Sequence, residues 1–174
     1  MQTKINTTIK KHHLVMCSNM IVKKDNKFLI IKRSLNKKID PGFYHFSGGK
    51  VDINEEPLCA AKRELFEEAG IKVKDIRIEA VVTELSPYYK GENWLIFYFS
   101  GNYKNGKIKT SPEGEFIWMT KKEILDQKQK FIPSVRVIIE YLLDINMGTV
   151  FASFKHYSKK NDVGIKNLHI CTCN

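Results

Sequence analysis

Three glutamates, Glu64, Glu67 and Glu68, have the type and spacing that most clearly indicate chemistry. In a helix, where successive residues turn by about 100°, all three fall within an arc of roughly 100°. Carboxylates spaced in this way repel one another and destabilise a helix by about 0.3 kcal/mol per pair. Carboxylate oxygens are also the ligands that Mg²⁺ and Mn²⁺ prefer. The pattern therefore predicts a divalent-cation site, and the alternative is an acidic face exposed to water.

Two features close to these glutamates favour the cation site. Gly48 and Gly49 form a predicted turn upstream, and a residue without a Cβ lets the backbone come close to a ligand. Arg63 lies between the acidic face and the apolar face of the predicted helix. Its guanidinium can pair there with a carboxylate and hold it in position.

The glutamates lie on a segment that is predicted to be a helix over residues 57–69. Pro57 suits the first helical position, and Gly70 suits the C-terminal stop. Four apolar residues share one face of this helix: Leu58, Ala61, Leu65 and Ala69. We expect that face to pack on a sheet and the acidic face to lie beside it.

Strand and helix patterns alternate along the rest of the chain. Apolar runs predict strands at 14–22, 28–33, 43–46, 72–85, 94–99 and 116–119. Thr120 and Glu123 form a capping box that predicts a short helix, and a second helical pattern follows at 135–145. This mixed order predicts the α/β class, as a sandwich with a mixed β-sheet between helices.

The domain is predicted to span residues 14–146. Residues 1–13 are expected to be a polar tail, and residues 147–174 a C-terminal extension of unknown role. Within that extension, a strand is predicted near 150–157 and a polar tail after it.

The composition indicates one globular domain. The chain has 174 residues, a hydrophobic fraction of 43% and a formal net charge of +10 at pH 7. No apolar run reaches the ~18–20 residues that span a bilayer, and none typical of a secretory signal follows the N-terminus. The four cysteines form no disulfide framework, so a cytoplasmic location is expected. The scattered lysines are typical of a solvated surface with no dedicated partner, and the alternative is that the positive charge attracts polyanionic substrates.

The segment from Gly49 to Ile71 resembles the Nudix box, G-x5-E-x7-R-E-U-x-E-E-x-G-U, where U is a bulky aliphatic residue. Every fixed position is filled at the required spacing: Gly49, Glu55, Arg63, Glu64, Leu65, Glu67, Glu68, Gly70 and Ile71. The preceding run Tyr44-His45-Phe46-Ser47-Gly48-Gly49 is similar to a family pattern that has proline at the Ser47 position. With the order of strands, the similarity covers roughly residues 14–146 and implies a MutT-like Nudix hydrolase with an α/β/α sandwich fold.

The resemblance implies an enzyme in which water attacks a phosphorus of a pyrophosphate linkage with the help of a divalent metal ion. Glu64, Glu67 and Glu68 are the implied metal ligands, and the carbonyl group of Gly48 completes the set. Mg²⁺ is the implied cofactor, with Mn²⁺ as an alternative.

The resemblance assigns the remaining residues of the box to supporting roles. Arg63 belongs to the catalytic set, in which it braces the turn between loop and helix together with Glu55. Gly70 has a structural role. Three candidates for the general base remain: Glu64, Glu67 and a carboxylate outside the box.

Residues outside the box complete the predicted site. Glu113 and Glu115 precede a strand with tryptophan, as in the family, and either is a candidate for a further metal ligand or for the base. Trp118 is a candidate for stacking on a base, with core packing as the alternative. Arg33 is a candidate for binding substrate phosphate, together with the backbone at Gly49.

The substrate is expected to be a nucleotide. The compact length fits a pyrophosphatase of nucleoside triphosphates, oxidised ones included. The alternatives are ADP-ribose, dinucleoside polyphosphates, the 5′ end of RNA, and a non-catalytic module that senses a nucleotide. Pro87, Tyr88 and Tyr89 satisfy family hints for two different substrates, and with Trp94 they flank a loop whose aromatic residues can sandwich a base. No membrane partner is expected, and the chain is a monomer or a homodimer.

Overall fold

The computed structural model describes residues 13–85, 92–144, 148–156 and 163–171. The strands are β1 (His13–Lys24), β2 (Lys27–Arg33), β3 (Tyr44–His45), β4 (Ser47–Lys50), β5 (Ile71–Leu85), β6 (Glu92–Gly106), β7 (Gly114–Thr120), β8 (Thr149–His156) and β9 (Val163–Cys171). The helices are α1 (Pro57–Ala69), α2 (Lys121–Asp126) and α3 (Pro133–Leu142), with a 3₁₀ turn at Lys128–Lys130. None of the helices among the described residues is long and apolar enough to cross a membrane.

The described strands form one mixed sheet in the order β3-β2-β1-β6-β5-β8-β9, with β4 paired to β1 and β7 paired to β2. β1 and β6 run parallel, from the pair His13–Glu92 to the pair Lys23–Asn102. β5 runs antiparallel to β6 and parallel to β8. The predicted mixed sheet is therefore confirmed.

Helices cover both faces of the sheet. Met20 and Val22 of β1 belong to the apolar cluster under α1, while Ile21 between them belongs to the cluster under α3. Successive side chains of a strand point to opposite faces, so the two helices lie on opposite sides. The α/β/α sandwich is confirmed.

The helix α1 begins and ends where the sequence predicts. Pro57 occupies the first turn, and Gly70 follows the last residue with a φ of 71°, a left-handed conformation that glycine adopts without strain. Its N–H donates to the carbonyl oxygen of Phe66. Leu65 and Ala69 are buried against the sheet, which leaves the acidic side of the helix at the border of the packed face.

The predicted turn at Gly48 and Gly49 is wrong. Both residues belong to β4, which pairs antiparallel with β1, for example Gly49 with Ser18. Short glycine-rich segments lack the apolar alternation that marks a strand, so this pairing is fixed by tertiary contacts and not by local preference.

Several further boundaries differ from the prediction, most of all at β6, which is predicted at 94–99 and spans Glu92–Gly106. α3 begins at Pro133, before the predicted start at 135, because proline suits the first turn of a helix. The strand predicted near 150–157 is found as β8, but the polar tail predicted after it is wrong at Val163–Cys171, which forms β9. β9 pairs antiparallel with β8, so the sheet extends beyond the predicted domain boundary at residue 146.

Candidate metal and nucleotide site

Arg63 holds three glutamates in place from the middle of α1. Its Nε and Nη2 donate to Glu55 Oε1 and Oε2 at 2.9 and 2.8 Å. Its Nη1 donates to Glu64 Oε1 at 2.8 Å and to Glu67 Oε2 at 3.2 Å. Nη2 also donates to the carbonyl oxygen of Lys50 at 3.2 Å. The guanidinium therefore ties the end of β4 to the acidic side of the helix.

Glu55 is the strongest partner of this guanidinium. Hydrogen bonds from Arg63, and then from the backbone N–H of Asp52 at 3.1 Å, lower the pKa of Glu55 to about 2. The carboxylate therefore stays ionised at neutral pH and braces the loop that leads into α1. This arrangement fits the structural role expected for Glu55.

Glu68 is the buried acid of the cluster, with 8% of its surface exposed. Its Oε2 accepts hydrogen bonds from Ser47 Oγ at 2.5 Å and from the N–H of Gly48 at 3.2 Å. Burial raises the pKa of Glu68 to about 7; the charges of Glu64 and Glu113 act in the same direction, while the bond from Ser47 opposes them. A cation bound beside Glu68 would relieve both the desolvation and the repulsion.

The two glycines of β4 allow a close approach that no larger residue permits. A Cβ on Gly49 would lie 2.5 Å from Oε1 of Glu64. A Cβ on Gly48 would lie 2.3 Å from the carbonyl oxygen of Ser18 and 2.4 Å from Oδ1 of Asn19. Neither glycine has a positive φ, so space and not backbone conformation requires glycine here.

The donor set fits a hard divalent ion. All of the predicted side-chain ligands are carboxylates, which suit Mg²⁺ or Mn²⁺ better than soft metals. In the described part of the chain, no three acidic, histidine or cysteine side chains converge as a metal-binding group. The reason is that Glu64 and Glu67 turn to Arg63 whereas Glu68 turns to Ser47. Arg63 meets Glu64 and Glu67 through one oxygen each, so the second oxygen of each carboxylate could ligate an ion while Arg63 holds the side chain in position.

Glu113 lies near this cluster, in the loop that precedes β7. It forms an ion pair with Lys37, and its charge acts on Glu68. A role for Glu113 as a further metal ligand or as the base stays a prediction. Glu115, the other candidate, is exposed on β7.

A cavity of about 320 Å³ opens on the face of the sheet opposite α1. Cys17 and Asn19 of β1 line it, whereas Ser18 between them faces α1 and donates to the carbonyl oxygen of Pro57. Three basic residues also line the cavity: Arg33, Lys37 and Lys50. The backbone at residues 48–49 borders both this cavity and the acidic cluster. Its volume lies at the lower end of the range for small-ligand pockets.

Arg33 lines this cavity and also shapes its wall. Its Nη2 donates to the carbonyl oxygen of Ile39 at 2.9 Å, and its Nε donates to that of Asp40 at 3.2 Å. The side chain therefore fixes the loop between β2 and β3. The position of Arg33 at the cavity is compatible with binding of substrate phosphate, which stays a prediction.

Trp118 does not line the cavity. Its ring packs edge-on against Tyr103, with 6.3 Å between the ring centroids, among the residues under α1. Trp94 lines the cavity instead. Base stacking by Trp118 stays a prediction, and Trp94 is the tryptophan that the structure places at the cavity. The predicted contributions of Pro87, Tyr88 and Tyr89 concern residues outside the described ranges.

Glu84 is a cavity residue that the sequence reasoning missed. It is 2% exposed and lies one residue before the end of β5. Polar residues at strand ends usually face water, so the residue type alone did not indicate that Glu84 is buried. The two-residue period of the strand could have indicated it, because Ala80, Val82 and Glu84 share one face and the first two are buried.

His45 is a second cavity residue outside the predicted set. Its Nδ1 lies 2.5 Å from the carbonyl oxygen of Phe46, so this nitrogen is the donor. Burial lowers the pKa of His45 to about 4, the Phe46 bond opposes this shift, and the charge of Arg33 adds to it. The imidazole is therefore neutral at physiological pH.

We expect His45 to destabilise the fold in mild acid. Its folded pKa lies below the unfolded value of about 6.5, so the unfolded chain takes up the extra proton and stability falls as pH drops from 6.5 towards 4. Between pH 7 and pH 5 the loss is about 2 kcal/mol. Urea unfolding measures the free energy of unfolding of the wild type and of His45→Asn at each pH. Between pH 7 and pH 5, the free energy of unfolding should fall by about 2 kcal/mol less in His45→Asn than in the wild type. Between pH 8 and pH 7.5, it should change equally in both proteins. Parallel losses down to pH 5 would contradict the assignment.

Comparison with known proteins agrees with this geometry. Among solved structures, a MutT protein from Bacillus halodurans superposes with a TM-score of 0.72 over 90% of this chain and 97% of that chain, at 22% identity. At this identity the similarity shows the fold. The chain is therefore an α/β protein with the fold of that MutT protein.

The family follows from the sequence match. The family model described as NUDIX domain matches residues 12–142. The chain belongs to the Nudix family, whose hydrolases generally use divalent metal ions.

Two curated relatives illustrate the range of the family. An RNA pyrophosphohydrolase of Bartonella henselae is 36% identical over an alignment of 92 residues that covers 43% of this chain and 53% of that protein. An 8-oxo-dGTP diphosphatase of Proteus vulgaris is 41% identical over 63 residues, which are 36% of this chain and 55% of that protein. The chain thus spans about half the length of these relatives.

Proposed function

We propose that this chain is a metal-dependent hydrolase of phosphoanhydride bonds, which acts as a MutT-like pyrophosphohydrolase on nucleoside triphosphates, oxidised ones included. The observation that carries the proposal is the position of β4. The backbone at Gly48 and Gly49 contacts Glu64 and the buried Glu68, and it also lines a cavity that contains basic side chains. Candidate oxygen ligands for a cation and positive charges suited to a polyphosphate therefore adjoin the same short strand.

Mg²⁺ is the proposed metal, because the side-chain donors are carboxylates. Glu64, Glu67 and Glu68 would hold it, with the carbonyl oxygen of Gly48. When bound, the ion neutralises charge on the pyrophosphate and lowers the pKa of the attacking water. Arg63 acts as a positioning residue, since it fixes the carboxylates of Glu64 and Glu67.

The remaining groups bind the substrate or take its proton. Arg33, Lys37 and Lys50 bring positive charge to the cavity and would bind phosphate oxygens. The proton of the attacking water would go to a carboxylate, and Glu64, Glu67 and Glu113 are the candidates for this base.

The 5′ end of RNA is the second candidate substrate. A relative named RNA pyrophosphohydrolase and the net charge of +10 favour it, since RNA extends beyond a cavity of this size and carries one negative charge per nucleotide. ADP-ribose and dinucleoside polyphosphates share the same phosphoanhydride chemistry and belong in the same test.

A substrate panel tests the proposed function. The protein is incubated with Mg²⁺ and GTP, dGTP, 8-oxo-dGTP, ADP-ribose, a dinucleoside tetraphosphate or 5′-triphosphorylated RNA, and the products are identified. We expect nucleoside monophosphate and pyrophosphate from the triphosphates, and no turnover without a divalent ion. Release of pyrophosphate from RNA alone would favour the second candidate. Binding without turnover of any substrate would contradict an enzymatic function and favour a nucleotide sensor.

A further inference from the structure

One wall of the cavity differs chemically from the rest. The basic side chains attract phosphate, yet Glu84 in the same cavity is a carboxylate that is 2% exposed. Negative charge repels phosphate groups, so Glu84 does not suit the polyphosphate. A buried carboxylate suits a part of the substrate that presents hydrogen-bond donors.

The neighbours of Glu84 are suited to a nucleobase. Glu84 and Trp94 are paired across β5 and β6, and directly opposed side chains share one face of the sheet. Trp94 Nε1 donates to Glu92 Oε1 at 2.6 Å, which orients the indole ring. Ile96 and Ile132, 6% and 9% exposed, add apolar surface to the same cavity. An aromatic ring with apolar neighbours favours stacking of a flat base.

We propose that Glu84 selects guanine as the base of the substrate. This inference rests on the proposed function and names the substrate more closely. The Watson–Crick edge of guanine presents N1–H and the 2-amino group side by side, and the two oxygens of one carboxylate can accept both hydrogen bonds. Adenine and cytosine place a ring acceptor next to their amino group, and uracil flanks its single N–H with two carbonyl oxygens. Each of these bases would turn an acceptor towards the carboxylate.

The selection does not depend on oxidation of the base. 8-Oxoguanine keeps N1–H and the 2-amino group, so Glu84 would accept the same two hydrogen bonds from it. Glu84 would therefore select guanine both in an oxidised triphosphate and at the first nucleotide of an RNA.

The main test compares kcat/KM for GTP, ITP and ATP in the wild type and in Glu84→Gln. We expect the wild type to favour GTP over ATP by about tenfold or more, with ITP between them because hypoxanthine lacks the 2-amino group. Glutamine offers one acceptor and one donor, which match the 6-amino group and N1 of adenine. The GTP to ATP ratio of Glu84→Gln should therefore fall by about tenfold or more.

Glu79→Gln is the matched control. Glu79 is also a buried glutamate of β5, and its carboxylate accepts hydrogen bonds from Arg77 and Ser100. Unlike Glu84, it does not line the cavity. Its base preference should equal that of the wild type. Melting temperatures of both variants show that they fold, and Trp94→Leu should weaken binding of GTP and ATP to a similar degree.

A binding assay separates this inference from the proposed function. Affinities for non-hydrolysable methylene analogues of GTP and ATP are measured in the same variants. A preference for the guanine analogue that Glu84→Gln removes would support the inference even without turnover. Equal use and equal binding of all bases by the wild type would overturn it. A change confined to the GTP to dGTP ratio would also overturn it, because Glu84 would then contact the ribose.

Discussion

Replacing Glu68 with glutamine is expected to lower kcat by about 10³-fold or more, with the fold intact. The cluster is proposed to place a metal ion that stabilises the transition state by several kcal/mol, and each ~1.4 kcal/mol of lost stabilisation is worth a factor of about ten in rate. Steady-state kinetics with Mg²⁺ and the best substrate of the panel measure the effect. Near-normal turnover would contradict the role of Glu68.

The stability of this variant provides an independent check. Burial raises the pKa of Glu68 to about 7, so the metal-free protein holds a poorly solvated charge above that pH. Glutamine has a similar shape, carries no charge and can still accept the hydrogen bond from Ser47. We therefore expect Glu68→Gln to melt no lower than the wild type at pH 8 without metal. Glu56→Gln, at the start of the same helix, is the matched control for activity, because Glu56 makes no capping hydrogen bond.

Gly49→Ala is the second variant with a large expected effect, a loss of about 10²-fold in kcat. The new Cβ would lie 2.5 Å from Oε1 of Glu64, so the carboxylate has to move away from its position beside β4. Displacement of a catalytic group by about 1 Å costs about that factor. The clash involves the end of a flexible side chain, so urea unfolding should show little loss of stability.

Gly48→Ala distinguishes displacement of Glu64 from a loss of stability that any larger residue in β4 would cause. Its Cβ would lie 2.3 Å from the carbonyl oxygen of Ser18, a backbone atom that cannot turn away. We expect a loss of stability of about 1–3 kcal/mol for this variant. Equal losses of stability in the two alanine variants would contradict the proposed contact between Gly49 and Glu64.

The acidic helix was predictable because its signals are local. Pro57, the period of the apolar residues and Gly70 fix the helix, and the spacing of Glu64 and Glu68 then fixes their common side. The link between the helix and the cavity was not predictable. It depends on β4, where Gly48 pairs with β1 across a long stretch of sequence.

The cavity was harder to predict than the helix. Trp118 and Trp94 both lie in strands, and only the pairing of β6 with β5 shows that Trp94 has Glu84 as its neighbour. β9 was missed because Lys166, Asn167 and His169 interrupt its apolar residues, and such a segment forms a strand only when a partner such as β8 supplies hydrogen bonds.

The location of manganese tests the central claim most directly. Crystals of the protein with Mn²⁺ and a non-hydrolysable nucleotide are measured at a wavelength where manganese scatters anomalously. We predict a peak within coordination distance of the carboxylates of Glu64 and Glu68, next to the phosphates of the analogue, and its loss in Glu68→Gln. A bound nucleotide with manganese elsewhere, or with no manganese peak beside α1, would contradict the proposed role of these carboxylates.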